Sequence, residues 1–179
     1  MRILRCTARE FERTAALYDR VVRHLTESVN YPRWTYGVYP SDATVRAAIL
    51  RSEQFLCVEE DAVLGAFVLD EDPQGEYLRV RWETELGPGE YLALHTLAVD
   101  PAYCGRGVPS FLVRACVAYA QEHGYRALRL DVVPENFPAR RLYEQLGFRS
   151  AGMADLGRNV AGVPEFVLYE RRTDGEKKS

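Results

Sequence analysis

Residues 2–6 form a short β-rich run that predicts a strand, and Thr7 with Glu10 follows it as a T-x-x-E capping box, a pairing that satisfies two free amides where a helix begins. Phe11, Ala15, Tyr18, Val22 and Leu25 then recur at three- or four-residue spacing to about residue 27, the single apolar stripe of an amphipathic helix. Regularity breaks at residues 31–40, where Pro32, Gly37 and Pro40 are interleaved with Tyr31, Trp34, Tyr36 and Tyr39. An aromatic loop of this kind either walls a ligand site or packs on its own domain, and both readings stay open. A second helix is expected from Ser41 to about Arg51.

Residues 55–59 and 63–69 are β-rich runs with a short connection at 60–62, the pattern of an antiparallel hairpin. Residues 70–90 are acidic and interrupted by Pro73, Gly75, Gly87, Pro88 and Gly89, which predicts a long excursion with a strand around 77–82. From Tyr91 the periods become regular. They predict a strand at 91–99, a helix at 108–123 ended by Gly124, a strand at 127–133, a helix at 137–146 ended by Gly147, and strands at 148–153 and 166–171. An antiparallel pattern followed by strand–helix alternation predicts a mixed sheet covered by helices, α/β or α+β by convention.

Composition narrows the function. A chain of 179 residues buries a core as one domain, expected over residues 1–172 with a polar tail at 173–179. A formal net charge of -3 offers no basic footprint, so no nucleic-acid partner is expected. No run of about 18 apolar residues and no charged-then-apolar leader is present, which predicts a protein with no membrane partner, in the cytoplasm. The four cysteines, Cys6, Cys57, Cys104 and Cys116, lie far apart without C-x-x-C spacing, so neither a zinc site nor a disulfide is expected.

The strand at 91–99 runs into Asp100-Pro-Ala-Tyr-Cys-Gly-Arg-Gly-Val-Pro-Ser110, with glycines at 105 and 107 ahead of a helix. Backbone amides converging at a helix N-terminus attract an anion such as a pyrophosphate, because the free N–H groups and the helix dipole both favour negative charge. The same spacing also serves a plain sharp connection. The third glycine of a dinucleotide fingerprint is absent, and no G-K-[ST] follows for a P-loop.

Together with Leu97-Ala-Val-Asp-Pro101 and Glu135-Asn-Phe-Pro-Ala-Arg-Arg-Leu-Tyr-Glu-Gln-Leu-Gly-Phe148, this turn resembles the GCN5-related N-acetyltransferase (GNAT) superfamily, over nearly the whole chain from residue 7 to 170. The resemblance implies the acyl-CoA N-acyltransferase fold, a mixed, mostly antiparallel twisted sheet with a central parallel pair. It also implies acetyl-CoA as cosubstrate without a metal, a small-molecule or peptide amine as acceptor, direct attack in a ternary complex, and a homodimer paired through the C-terminal strands. The family's phosphate turn, Gln or Arg, two residues, Gly, one residue, then Gly or Ala, falls here on Cys104, Gly105, Arg106, Gly107, Val108 and Pro109. Two positions depart from it. Cys104 replaces a long hydrogen-bonding side chain, and Pro109 removes an amide, so that either the Ser110 hydroxyl replaces the lost donor or coenzyme affinity is lower. The backbone of Leu97, Ala98 and Val99 resembles the edge to which the pantetheine arm adds like a strand. Asn136 suits a helix cap by type and position, and in the family this position also touches that arm.

Acyl transfer to an amine needs a base for the amine proton and an acid for the leaving thiolate. Tyr143 falls where the family places its thiolate donor, although Ala139, Leu142, Tyr143 and Leu146 also make an ordinary apolar stripe. His95 alternates with Ala93, Leu97 and Val99 along its strand and matches one of two histidine positions in the arylalkylamine branch, while Ala93 occupies the other. A hydrogen-bonded structural histidine is an equal reading. Arg106, Arg140 and Arg141 are available for phosphate, and Glu165, with Tyr31 and Trp34, for an amine acceptor. A non-catalytic acyl-CoA-binding or sensory module of the same fold is the competing expectation.

Overall fold

The computed structural model describes residues 1–173, so the expected polar tail lies outside the described residues from 174 onward. The described residues fall into two compact units, Met1–Asn30 with Trp34–Leu69 and His95–Leu112, and Tyr31–Arg33 with Asp70–Leu94 and the residues from Val113 onward. Strand β4 contributes to both.

In the first unit β1 (Arg2–Arg5) delivers the chain to the expected box, where the Thr7 amide donates to Glu10 at 2.8 Å and the Arg9 amide to the Thr7 hydroxyl at 3.3 Å. Helix α1 (Phe11–Glu27) follows and buries Phe11, Leu17, Tyr18, Val21 and Val22. Helix α2 (Asp42–Leu50) is capped by Ser41, whose side chain accepts from the Thr44 amide. Strands β2 (Gln54–Glu59) and β3 (Ala62–Asp70) form the hairpin, with Phe55 opposite Phe67, and β1 adds to β2 with Ile3 opposite Cys57. Leu17, Tyr18, Val45, Ile49, Leu56, Ala66 and Ala98 share one core. Burying such side chains is worth about 1.5–3 kcal/mol each for the larger aliphatics, which is what holds short helices to the sheet.

In the second unit the first residues of β4 (Tyr91–Val99) pair in parallel with β5 (Ala127–Val132), Leu92 opposite Leu128. Strand β7 (Phe166–Arg172) is antiparallel to β5, and β6 (Arg149–Ala154) to β7. The sheet order is β1-β2-β3-β4-β5-β7-β6, a mostly antiparallel mixed sheet with one parallel pair. Helix α3 (Val108–Glu122) precedes β5, and α4 (Phe137–Gln145) links β5 to β6. Gly124 and Gly147 end these helices at φ +79° and +83°, conformations that cost a side chain strain.

The strand expected around 77–82 is absent. A 3-10 turn occupies Tyr77–Arg79, and Tyr77 and Trp82 turn inward to a core with Val133, Leu156 and Phe166, the Trp82 indole donating to the Tyr77 carbonyl at 2.8 Å. Aromatic burial, not a strand ladder, orders this excursion. Arg129 on β5 adds a second anchor. It is buried with Glu170 at 2.7 Å, donates to the Thr84 carbonyl at 2.9 Å, and lies between the rings of Trp82 and Tyr91. Thr173 is buried too, its amide donating to the Arg126 carbonyl and its hydroxyl to the Tyr125 carbonyl.

Candidate active site

The first unit contains the turn. The Asp100 amide donates to the Leu64 carbonyl at 2.9 Å, its carboxylate accepts from the Ala102 amide and from Arg20, and a 3-10 turn over Pro101–Tyr103 follows. Gly105 and Gly107 adopt φ +77° and +74° with open space where a Cβ would stand, so backbone conformation, not room, requires glycine at both. The Phe111 amide makes the first intrahelical bond, to Gly107 at 3.1 Å. The Val108 and Ser110 amides precede it without an acceptor inside the helix, and Pro109 contributes none. The exposed loop from Cys104 to Gly107 leads into this amide-rich helix start, where Val108 is buried and Ser110 half-buried; free amides so placed fit an anion, with one donor fewer than an ordinary first turn. Cys104 is exposed, and Arg106 donates to Glu59 at 2.6 Å with its guanidinium over the Tyr103 ring.

Upstream, His95 is 7% exposed. Its neighbour Thr96 has φ +46°, a left-handed residue of the kind found in bulges, and its carbonyl and hydroxyl both receive the Tyr18 hydroxyl. Simple alternation therefore stops at Thr96, and the face shared by Ala93 and His95 does not carry through to Leu97 and Val99. Leu97 and Val99 are half-buried, whereas Ala98 joins the core. Ala98 also explains Gly65 opposite, where a Cβ would stand 2.6 Å from the Ala98 carbonyl. Trp34 packs on this unit's own core, edge-on to Tyr18 and Tyr39, and its backbone is held by the Asn30 amide group. Tyr36 is likewise occupied, by Arg23.

The second unit contains Tyr143, Asn136, Glu165 and Tyr31. Asn136 caps α4 by accepting from the Ala139 amide at 3.3 Å. Two helical turns after Asn136, Tyr143 is buried between Phe148 and Tyr169, and burial pushes its phenol well above the ordinary range, with Cys116 and Asp131 adding to the effect. It is therefore a neutral donor at any physiological pH. Its hydroxyl makes no hydrogen bond to another described residue. Arg140 donates to the Pro134 carbonyl and to Tyr169, so its charge is engaged within the unit. Arg141 and Glu165 are exposed, and Tyr31 is half-buried.

Arg158, which the sequence did not single out, grips the buried Asp131 carboxylate at 2.6 and 2.8 Å. It also donates to the Gln74 and Pro73 carbonyls, and Tyr77 donates to the same carboxylate at 2.7 Å. The usable signal was an aspartate inside the apolar run Leu128, Leu130, Val132. Among the described residues no cluster of three or more histidines, cysteines and acids able to hold a metal occurs, and no helix is long and apolar enough to cross a membrane.

A mixed sheet whose parallel β4–β5 pair is followed on one strand by a left-handed glycine turn defines the acyl-CoA N-acyltransferase fold. The chain belongs to the acetyltransferase (GNAT) family, whose sequence profile matches residues 17–148. It is 34% identical over 89 residues to the N-alpha-acetyltransferase RimI of Mycobacterium tuberculosis, covering 50% of this chain and 52% of that protein. It is 32% identical over 79 residues to the streptothricin acetyltransferase of Streptomyces lavendulae, covering 44% and 42%. The chain spans about half, or less, of the length of the first curated relatives it matches. In structure it is similar to a GNAT-family acetyltransferase from Streptococcus agalactiae, TM-score 0.78 at 16% identity over 96% of this chain and 94% of that one. It is similar also to yncA of Salmonella typhimurium, solved with its cofactor acetyl-CoA, TM-score 0.69 at 16% identity over 100% and 97%.

Proposed function

We propose that this chain is an N-acetyltransferase that moves an acetyl group from acetyl-CoA to a primary amine by direct attack. The observation that carries the reading is the amide-rich start of α3 behind two left-handed glycines, in a family whose relatives carry acetyltransferase names. Acetyl-CoA supplies the acetyl group as a thioester. The amides of Gly105, Arg106, Gly107, Val108 and Ser110 would receive its phosphates, with Cys104 and Pro109 making a leaner grip than the family's usual turn. The backbone of Leu97, Ala98 and Val99 offers an edge for the pantetheine arm, and Asn136 a polar contact.

Tyr143 is the proton donor in this reading. Its hydroxyl stays protonated and is available to donate to a departing thiolate, while the burial that keeps it protonated also makes it a weaker acid than a free phenol. His95 takes the proton that the attacking amine loses, at a ring nitrogen, so the C–N bond forms as the C–S bond breaks and both protons are accounted for. Burial pushes the Cys6, Cys57 and Cys116 thiols up, which disfavours a covalent route through any of them. The acceptor is a small-molecule or peptide amine, with Glu165 and Tyr31 as the residues for its recognition; Trp34 is spent on its own core.

Thiol release from acetyl-CoA across a panel of free amino acids, polyamines, arylalkylamines and peptides tests the reading. Release that depends on one amine class supports it. Acetyl-CoA binding without release on any amine overturns catalysis and favours the non-catalytic module, for which the Cys104 and Pro109 departures speak.

A further inference from the structure

Arg106 is the one cationic side chain between the two left-handed glycines, and its guanidinium is already committed: it meets the Glu59 carboxylate at 2.6 Å. Glu59 ends β2, the strand before the hairpin turn, so it is held in place by the sheet, while Arg106 reaches it on a flexible stem from an exposed loop. The pair is about half exposed on the arginine side, 50% against 37% for the glutamate. A carboxylate beside a phosphate turn has two effects of the same sign. It occupies the arginine that a phosphate would take, and it adds a negative charge where an anion must settle, a charge that the Met1 ammonium at 3.4 Å from its other oxygen offsets in part.

We infer that Glu59 is an affinity-setting residue of the phosphate turn, holding Arg106 until coenzyme phosphate displaces it. The inference rests on the coenzyme reading above and goes beyond it by assigning a competitor within the protein. Contact through one guanidinium nitrogen, rather than a two-point fork, makes the exchange inexpensive. Glu59 belongs to no part of the transfer machinery, so its effect is confined to binding.

A double-mutant cycle read by calorimetric titration of coenzyme A at low and high salt tests it, with the full chain and the variants Glu59→Gln, Arg106→Gln and both together. Glu59→Gln is expected to tighten coenzyme A binding about two- to fivefold, the worth of one exposed ion pair, with the gain shrinking as salt screens it. In the Arg106→Gln background the same change is expected to bring less. A gain of equal size in both backgrounds, no gain, or weaker binding overturns the inference while leaving the coenzyme reading intact. Coenzyme A that binds none of the four proteins overturns both.

Discussion

Arg158 holds both oxygens of the Asp131 carboxylate, across 27 residues of sequence, and uses its other donors on the carbonyls of Pro73 and Gln74. One side chain thereby ties β5 to the 70–90 excursion and to the loop before β7. Arg158→Met leaves a buried carboxylate with only the Tyr77 hydroxyl, and is expected to cost about 3–5 kcal/mol in chemical denaturation. Adding Asp131→Asn to that variant is expected to recover much of the loss, because the uncompensated charge, not the lost bond, dominates.

Tyr143→Phe removes an oxygen that bonds to no described residue and keeps the ring between Phe148 and Tyr169. Thermal stability is expected to stay within about 0.5 kcal/mol of the parent. Thiol release at saturating substrates is expected to fall about 10²–10⁴-fold, the usual worth of a general acid. A matching fall in stability would mark the hydroxyl as structural.

Pro109→Ala returns an amide to the start of α3 without placing a glycine in the helix. Coenzyme A affinity is expected to rise by about 1–2 kcal/mol, the net worth of a hydrogen bond to a charged group after the lost proline rigidity is set against it. Calorimetric titration reads the change, and an unaltered dissociation constant would show that Ser110 already supplies the missing donor.

Gly65→Ala is expected to destabilise the first unit. The new Cβ would meet the Ala98 carbonyl at 2.6 Å and the Leu112 side chain at 2.9 Å, and a backbone oxygen inside a sheet yields little. Overpacking of this kind costs about 1–3 kcal/mol. A melting curve checks it.

Alkaline pH is expected to weaken the fold through two acids that the folded chain keeps protonated, the buried Cys6 thiol and the hydrogen-bonded Tyr125 phenol. Burial pushes the Cys6 thiol from 9.0 up to about 11, and a hydrogen bond to Glu71, then burial, pushes the Tyr125 phenol from 10.0 to about 12. The folded chain holds these protons more tightly than the unfolded one. Their contribution is whole below pH 9 and is lost as pH rises through about 11 for Cys6 and about 12 for Tyr125. Melting temperatures across that window should fall, and Cys6→Ala should flatten the lower part of the fall.

Much of this protein is written locally. The Thr7–Glu10 box, the stripe on α1, the Ser41 and Asn136 caps, the hairpin and the glycines after α3 and α4 all act within a few residues, through bonds that the chain closes on itself, and each stands as its residue types predict. The left-handed turn at Gly105 and Gly107 was legible for the same reason, since φ is a property of adjacent residues.

What tertiary structure alone decided lies at long sequence separation. Nothing local marks Thr96 as the residue where the alternation of β4 stops, because its carbonyl and hydroxyl meet the Tyr18 hydroxyl from another element. Nothing in residues 77–82 forbids a strand; Trp82 and Tyr77 leave that geometry because the core and Arg129 offer them more burial. Arg129 and Glu170, 41 residues apart, and Arg158 and Asp131 are charge pairs whose partners no local pattern names. Only packing brings each pair together, and only together does burying them become tolerable.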